Sequence, residues 1–172
     1  FDSGFDMGRY LIGCGYRSLG YVGTSHDTAN AATDRLEGFL KAVADGGGAV
    51  RKQLCLHDTA SFYPGYYGTE QLLATGREVE CIFFQNDSMA FGGLQYCGQA
   101  GLDVPKDIGI AGWGDLPIAS VLKTRLTSVH VSHLKIGQRA AEMMIARLSG
   151  EPLDHVQDIG SRLIPGSTVR RN

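Results

Sequence analysis

Between Leu19 and Trp113 short apolar runs alternate with longer stretches whose apolar residues recur at three- and four-residue steps. That rhythm predicts βαβ units around a parallel sheet. Leu19–Gly23, Gln53–Leu56, Cys81–Phe84 and Ile108–Gly112 read as strands, and a late strand falls at either Ser161–Pro165 or Ser167–Arg170. Strands covered on both faces need not alternate. Ala32, Leu36, Phe39, Leu40 and Val43 predict a helix over Ala29–Asp45 that stops at Gly46-Gly47-Gly48. A second helix spans Gly65–Thr75. A third starts after Asn86, where Asp87 or Ser88 can cap it, and ends at Gly101 ahead of Pro105. Beyond Trp113 the rhythm changes: Leu116–Leu122 is apolar without alternation and fits a short helix with a greasy exposed face. Leu134, Gly137, Ala141, Met144 and Leu148 then mark one face of a long helix over Ser132–Ser149, ended by Gly150 and Pro152. The predicted class is α/β, a doubly wound parallel sheet with helices on both faces.

Composition narrows this picture. The chain has 172 residues, 43% of them apolar, which suits one domain or most of one. Sixteen basic against eighteen acidic residues leave a net charge of −2, so this segment has no electrostatic footprint for nucleic acid. Glycine, at 24 residues, is over-represented without a collagen period and points to many tight turns. The apolar runs are far shorter than the ~18 residues of a membrane span. Phe1-Asp2-Ser3-Gly4 has neither the basic start nor the apolar stretch of a signal peptide, and Phe1 is no initiator methionine, so the chain reads as a piece that begins partway through something longer. Cys14, Cys55, Cys81 and Cys97 form no Cys-x-x-Cys pair and read as reduced, mostly buried thiols of a cytoplasmic protein.

Candidate chemistry gathers where the strands end, because open parallel sheets bind ligands beyond their carboxyl edges. Thr24-Ser25-His26-Asp27, Gln85-Asn86-Asp87-Ser88 and Trp113-Gly114-Asp115 are the polar segments at those positions. Arg35, on the helix after the first strand, could fork onto two hydroxyls or a carboxylate, or could be a solvated helix arginine. Asn86 offers a donor and acceptors to a sugar hydroxyl pair, or serves a turn. Asp87 reads as a helix cap ahead of a ligand contact. Asp115 could accept hydroxyl hydrogens, or be a plain turn aspartate. Phe62, Tyr63, Tyr66 and Tyr67 form an aromatic cluster in which Phe62 could stack on a sugar, and Trp113 could be platform or core. His26-Asp27 is weak evidence for an acid-base pair and reads rather as two loop residues. Phosphate loops, dinucleotide fingerprints, a nucleophile elbow and His-Glu-x-x-His are missing, and His130/His133 lack a third metal ligand. No metal, cofactor or catalytic residue is assigned.

Phe84-Gln85-Asn86-Asp87-Ser88-Met89-Ala90-Phe91-Gly92, then Gly101-Leu102-Asp103-Val104-Pro105-Lys106-Asp107-Ile108, Gly112-Trp113-Gly114-Asp115, Leu126-Thr127-Ser128-Val129 and Ile136-Gly137-Gln138 resemble, in order and spacing, the LacI family of bacterial transcriptional repressors. Phe1-Asp2 resembles that family's Phe-Asp-Asn at the first crossover between lobes. The resemblance implies a type I periplasmic-binding-protein-like effector domain of two lobes, of which this chain supplies mainly the C-terminal one. Residues 3–125 would form that lobe, 130–150 a helix that packs on the other lobe, and 160–170 the return, with the helix-turn-helix headpiece outside this sequence. The family's helix near Met7–Leu11 is a few residues longer. Arg35 and Asn86 match effector-contacting positions. Asp115 matches the second member of the family's Asp-Asp pair, while Gly114 replaces the first, which lowers the negative charge beside Arg35 and favours an acidic ligand. Gly109–His133 most resembles gluconate-responsive members. The resemblance also implies a homodimer through Phe91, Leu94, Ile118, Val121 and Leu122, an operator DNA reached through the headpiece, and no membrane partner. Rival expectations are a solute-binding protein for sugar transport and a small α/β enzyme using His26, Asp27 or Asp115.

Overall fold

The computed structural model describes residues 1–24, 31–56, 60–74, 76, 78–120, 124–152 and 156–171. The elements run α1 (Asp2–Gly13), β1 (Ser18–Thr24), α2 (Ala31–Asp45), β2 (Ala49–Leu56), α3 (Phe62–Ala74), β3 (Cys81–Phe84), α4 (Asp87–Gln99) and β4 (Gly109–Ala111). A 3₁₀ turn (Pro117–Ser120), β5 (Ser128–His130), α5 (His133–Leu148) and β6 (Arg162–Ile164) follow. Strands β1 to β4 form a parallel sheet in the order β2-β1-β3-β4. The chain therefore builds outward from β1 in one direction and then in the other. The α/β class, with helices on both sides of a parallel sheet, is as the pattern predicts.

Alternation along the central strands divides the core in two. Leu19, Tyr21, Cys81 and Phe83 point to one face, where Met7 and Leu11 of α1 and Phe39 and Val43 of α2 cover them. Val22, Ile82 and Phe84 point to the other, under Leu72 of α3 and Met89, Ala90 and Cys97 of α4. Each fully buried large side chain contributes about 1.5–3 kcal/mol relative to exposure. Glycines set the helix spacing. A Cβ on Gly4 would overlap the backbone carbonyl of Arg35, and one on Gly38 would overlap that of Phe1. Gly65 stands in the same relation to Met89, and Gly92 to Phe62, across α3 and α4. The glycine excess thus serves close helix contact as well as turns.

Several boundaries differ from the pattern. β2 begins at Ala49 because its first residues pair with Ser18 and Leu19. α3 begins at Phe62, since Pro64 is compatible with a first helical turn. Asn86 caps α4, its Oδ1 accepting the Met89 N–H at 2.9 Å; Asp87 does not, because its carboxylate is turned inward. α1 (Asp2–Gly13) contains the helix near Met7–Leu11 that the resemblance implies, which the apolar pattern did not mark. The late strand is Arg162–Ile164, antiparallel to β5, a strand the pattern did not mark. Leu116–Leu122 resolves into a 3₁₀ turn over Pro117–Ser120, and Val121 and Leu122 lie outside the described residues, as do Ser25, His26 and Asp27. α5 has no buried residue, and Leu134, Met144, Ile145 and Leu148 are largely exposed. Among the described residues no helix is long and apolar enough to cross a membrane.

Candidate functional site

The sheet order reverses between β1 and β3, and in open parallel sheets ligands bind at such a switch point, here beyond Thr24 and Gln85. Those two residues are joined there. Gln85 Oε1 accepts the Thr24 N–H at 2.5 Å and its hydroxyl at 3.0 Å. The carbonyl of Gln85 accepts from Arg35 Nη1 at 2.7 Å. Arg35 reaches it from the first turns of α2 and is only 7% exposed. Its guanidinium lies over the Trp113 ring, 3.7 Å from the centroid. Trp113 itself donates from Nε1 to Ser3 Oγ at 3.2 Å, which fixes the ring against α1.

Burial lowers the Arg35 pKa, because the charged form is deprived of water. The guanidinium nevertheless stays protonated. Its Nε has no hydrogen-bond partner, and no carboxylate pairs with it among the described residues. A buried, unpaired cation is costly, and an anion drawn into the crevice would offset that cost.

The strap after β4 is held from below. Asp87 is fully buried; its Oδ1 accepts from Ser128 Oγ at 2.6 Å and its Oδ2 from the Leu116 N–H at 2.7 Å. Burial raises the Asp87 pKa, the hydrogen bonds from Ser128 and Leu116 lower it, and the neighbouring Asp115 charge raises it again, with a net upward shift. Gly114 (φ 129°) and Asp115 (φ 49°) both take left-handed backbone. Glycine at 114 therefore has a backbone reason: an aspartate there would be strained in this turn. The Asp115 N–H donates to Ser128 Oγ at 3.1 Å, and Asp115 Oδ2 lies 2.9 Å from His130 Nδ1.

Of the residues singled out in the sequence, Arg35 and Trp113 are in contact at the switch point. Asn86 sits beside them but is committed to its own backbone surroundings, donating from Nδ2 to the Ala60 carbonyl at 2.8 Å while capping α4. Asp115 is engaged by His130 through one carboxylate oxygen. Phe62 is partly exposed at the start of α3, edge-on to Tyr63 with centroids 5.6 Å apart. Phe91 and Leu94 are half-buried against the α3/α4 core, and Ile118 is exposed. Gln85, Ser128 and His130 were missed as site residues. Gln85 acts partly through its backbone, and Ser128 and His130 follow a break in the strand rhythm, so only their place in the Leu126–Val129 motif could have marked them. Cys14, Cys55, Cys81 and Cys97 are free thiols. Burial pushes Cys97 up to about 11.

This architecture, a parallel sheet with polar residues gathered at its switch point and a return ribbon beside it, is that of a periplasmic-binding-protein-like domain. Residues 9–169 match the family model described as "Periplasmic binding protein-like domain", and the chain belongs to that family. Within it, the kin are LacI-type regulators. The chain is 30% identical over 153 residues to the HTH-type transcriptional regulator GalR of Escherichia coli K12, covering 89% of this chain and 44% of that protein. It is 30% identical over 170 residues to the HTH-type transcriptional repressor PurR of Pectobacterium atrosepticum, covering 98% of this chain and 50% of that one. The crystal structure of a LacI-family regulator from Silicibacter pomeroyi superposes with a TM-score of 0.89 at 26% identity, over 99% of this chain and 52% of that one. The transcription regulator GntR from Chromobacterium violaceum does so with 0.89 at 28% identity, over 98% and 62%. The chain spans about half the length of the curated relatives it matches. These relatives are transcriptional regulators or repressors.

Proposed function

We propose that this chain is the effector-sensing part of a cytoplasmic, LacI-type DNA-binding regulator, and that its effector is a sugar acid such as gluconate. The observation that carries the ligand class is Arg35: a buried guanidinium at the switch point, with a free Nε and no carboxylate partner among the described residues. Trp113 holds the guanidinium plane from behind, so its unsatisfied edge is pre-set for a bidentate carboxylate. Asn86 and Asp115 would contribute hydroxyl contacts, Asn86 through the lone pairs its cap leaves spare and Asp115 through the oxygen not engaged by His130. Phe62 would border the crevice.

In this reading residues 3–125 with 160–170 make one lobe, and α5 packs on a second lobe through Leu134, Met144 and Leu148, which the chain leaves exposed. Effector bridges the lobes and shifts their relative orientation, and a coupling of about 1–3 kcal/mol to DNA affinity is typical of such switches. DNA would be contacted by a separate helix-turn-helix segment, consistent with the net charge of −2 here. Two copies would associate through Phe91, Leu94, Ile118, Val121 and Leu122. The exposed rings of Tyr63 and Tyr67 extend that apolar area, since Gly92 of α4 abuts Phe62 and brings the start of α3 beside Phe91.

Isothermal titration of the full-length regulator with gluconate and with neutral sugars tests the ligand class. Saturable gluconate binding, weakened at least tenfold by Arg35→Lys, is the expected result. Preference for a neutral sugar, or an unaffected variant, would remove the sugar acid and the Arg35 contact from the reading.

A further inference from the structure

A cavity of about 310 Å³ opens where β5 passes into α5. His130, Ser132 and Lys135 line it on one side and Gly160, Ser161 and Arg162 on the other. His130 and Arg162 are direct partners in the antiparallel β5/β6 ribbon, so their side chains leave the same face about 5 Å apart. Lys135 approaches from the first turn of α5, behind the Ser132 cap, whose Oγ accepts the Lys135 N–H at 3.3 Å. Neither Lys135 nor Arg162 has an ion pair or a side-chain hydrogen bond among the described residues.

Two acids stand near the cavity, each with a hydrogen-bond partner of its own. Asp115 is taken by His130 Nδ1 at 2.9 Å, and Asp158 Oδ1 accepts the Gly160 N–H at 2.7 Å. The donors among the lining residues are the Arg162 guanidinium, the Lys135 ammonium and the Ser132 and Ser161 hydroxyls. That set is rich in donors and converges from two strands and a helix. A planar carboxylate uses two directions; a tetrahedral oxyanion uses all three.

We propose that this cavity is a binding site for a small oxyanion of the phosphate class, either inorganic phosphate or the phosphate end of a metabolite. Its contacts are Arg162 and Lys135. The site adjoins Asp115 through His130, but its own contacts are none of the residues of the effector reading and it does not depend on that reading. A phosphate held there would tie β6 to the first turn of α5 across the ribbon.

The test is isothermal titration of the full chain with inorganic phosphate, glycerol phosphate and acetate, in the wild type and in Lys135→Gln/Arg162→Gln. Both substituted residues are exposed, and circular dichroism checks that the variant is folded. Expected is saturable one-to-one binding of at least one phosphate species, weakened tenfold or more in the double variant, with acetate at least tenfold weaker. Stronger binding of glycerol phosphate would identify a metabolite headgroup as the ligand, and equal binding would identify the free ion. Absence of saturable phosphate binding, retention of it by the double variant, or equal affinity for acetate would each overturn the proposal.

Discussion

At the scale of single residues the chain places two charges of opposite sign where water is scarce, and handles them differently. Arg35 keeps its charge with one carbonyl and one aromatic face for support. Asp87 is held by two donors, yet burial still raises its pKa. The folded chain therefore retains that proton to higher pH than the unfolded chain, whose carboxyl titrates near ~3.9. Between those two values the folded state binds more protons, so the contribution of Asp87 to stability falls as pH rises through the window, and above it the penalty is complete. Asp87→Asn should flatten this part of a denaturant-midpoint profile against pH. Glu80 acts oppositely: burial pulls its pKa up, but the Arg17 and Ser18 N–H groups and the Arg170 charge pull it further down. Its contribution is present above the ordinary carboxyl range and fades as pH falls, so the Asp87→Asn profile should retain an acid-side loss that Glu80→Gln reduces. Asp87→Ala, which leaves the Leu116 N–H and Ser128 hydroxyl without their acceptor, should lower stability by about 1–3 kcal/mol at neutral pH.

At the scale of elements, the helix pairs α1/α2 and α3/α4 depend on missing side chains. Gly4→Ala or Gly65→Ala would drive a methyl into a backbone carbonyl, which cannot rotate away, and should cost about 1–3 kcal/mol in chemical unfolding. Gly98→Ala, on an open stretch of α4 with nothing near the new methyl, should stabilise by about 0.5–1 kcal/mol. The difference between these outcomes separates contact from propensity. The same reasoning explains what was legible beforehand. β1 and β3 are apolar on both faces and α2 has a clear helical period, so their existence and order were readable from Leu19 to Gln99. α1 was not, because Gly4 and Gly8 occupy the face that packs on α2 and so remove the apolar marks a periodicity would use. β5 and β6 are three residues each and are defined by partners more than thirty residues apart, which local pattern does not encode. In the crevice, Arg35 and Trp113 were readable as candidates, but their stacking was not. Asp87 was misread because Asn and Asp are both good caps, and only the position of Ser128 and Leu116 decides which of the two turns inward.

At the scale of the whole molecule, α5 stands apart from an otherwise well-buried body. Met144 and Leu148 are 67% and 83% exposed, so Met144→Glu/Leu148→Lys should leave the unfolding midpoint of the chain nearly unchanged while reducing its binding of a hydrophobic dye. In a full-length regulator that buries this face against a second lobe, the same pair should be destabilising, and comparing the two proteins by thermal unfolding checks that assignment. The contact between α1 and α2 carries a mechanical implication. Backbone meets backbone at Gly4 and Arg35, and again at Gly38 and Phe1, without an intervening layer of side chains to compress. Ligand binding at Arg35 should therefore slow the solvent exchange of amides in the first turns of α1, which meet the backbone of Arg35 at Gly4 and hold Trp113 through Ser3.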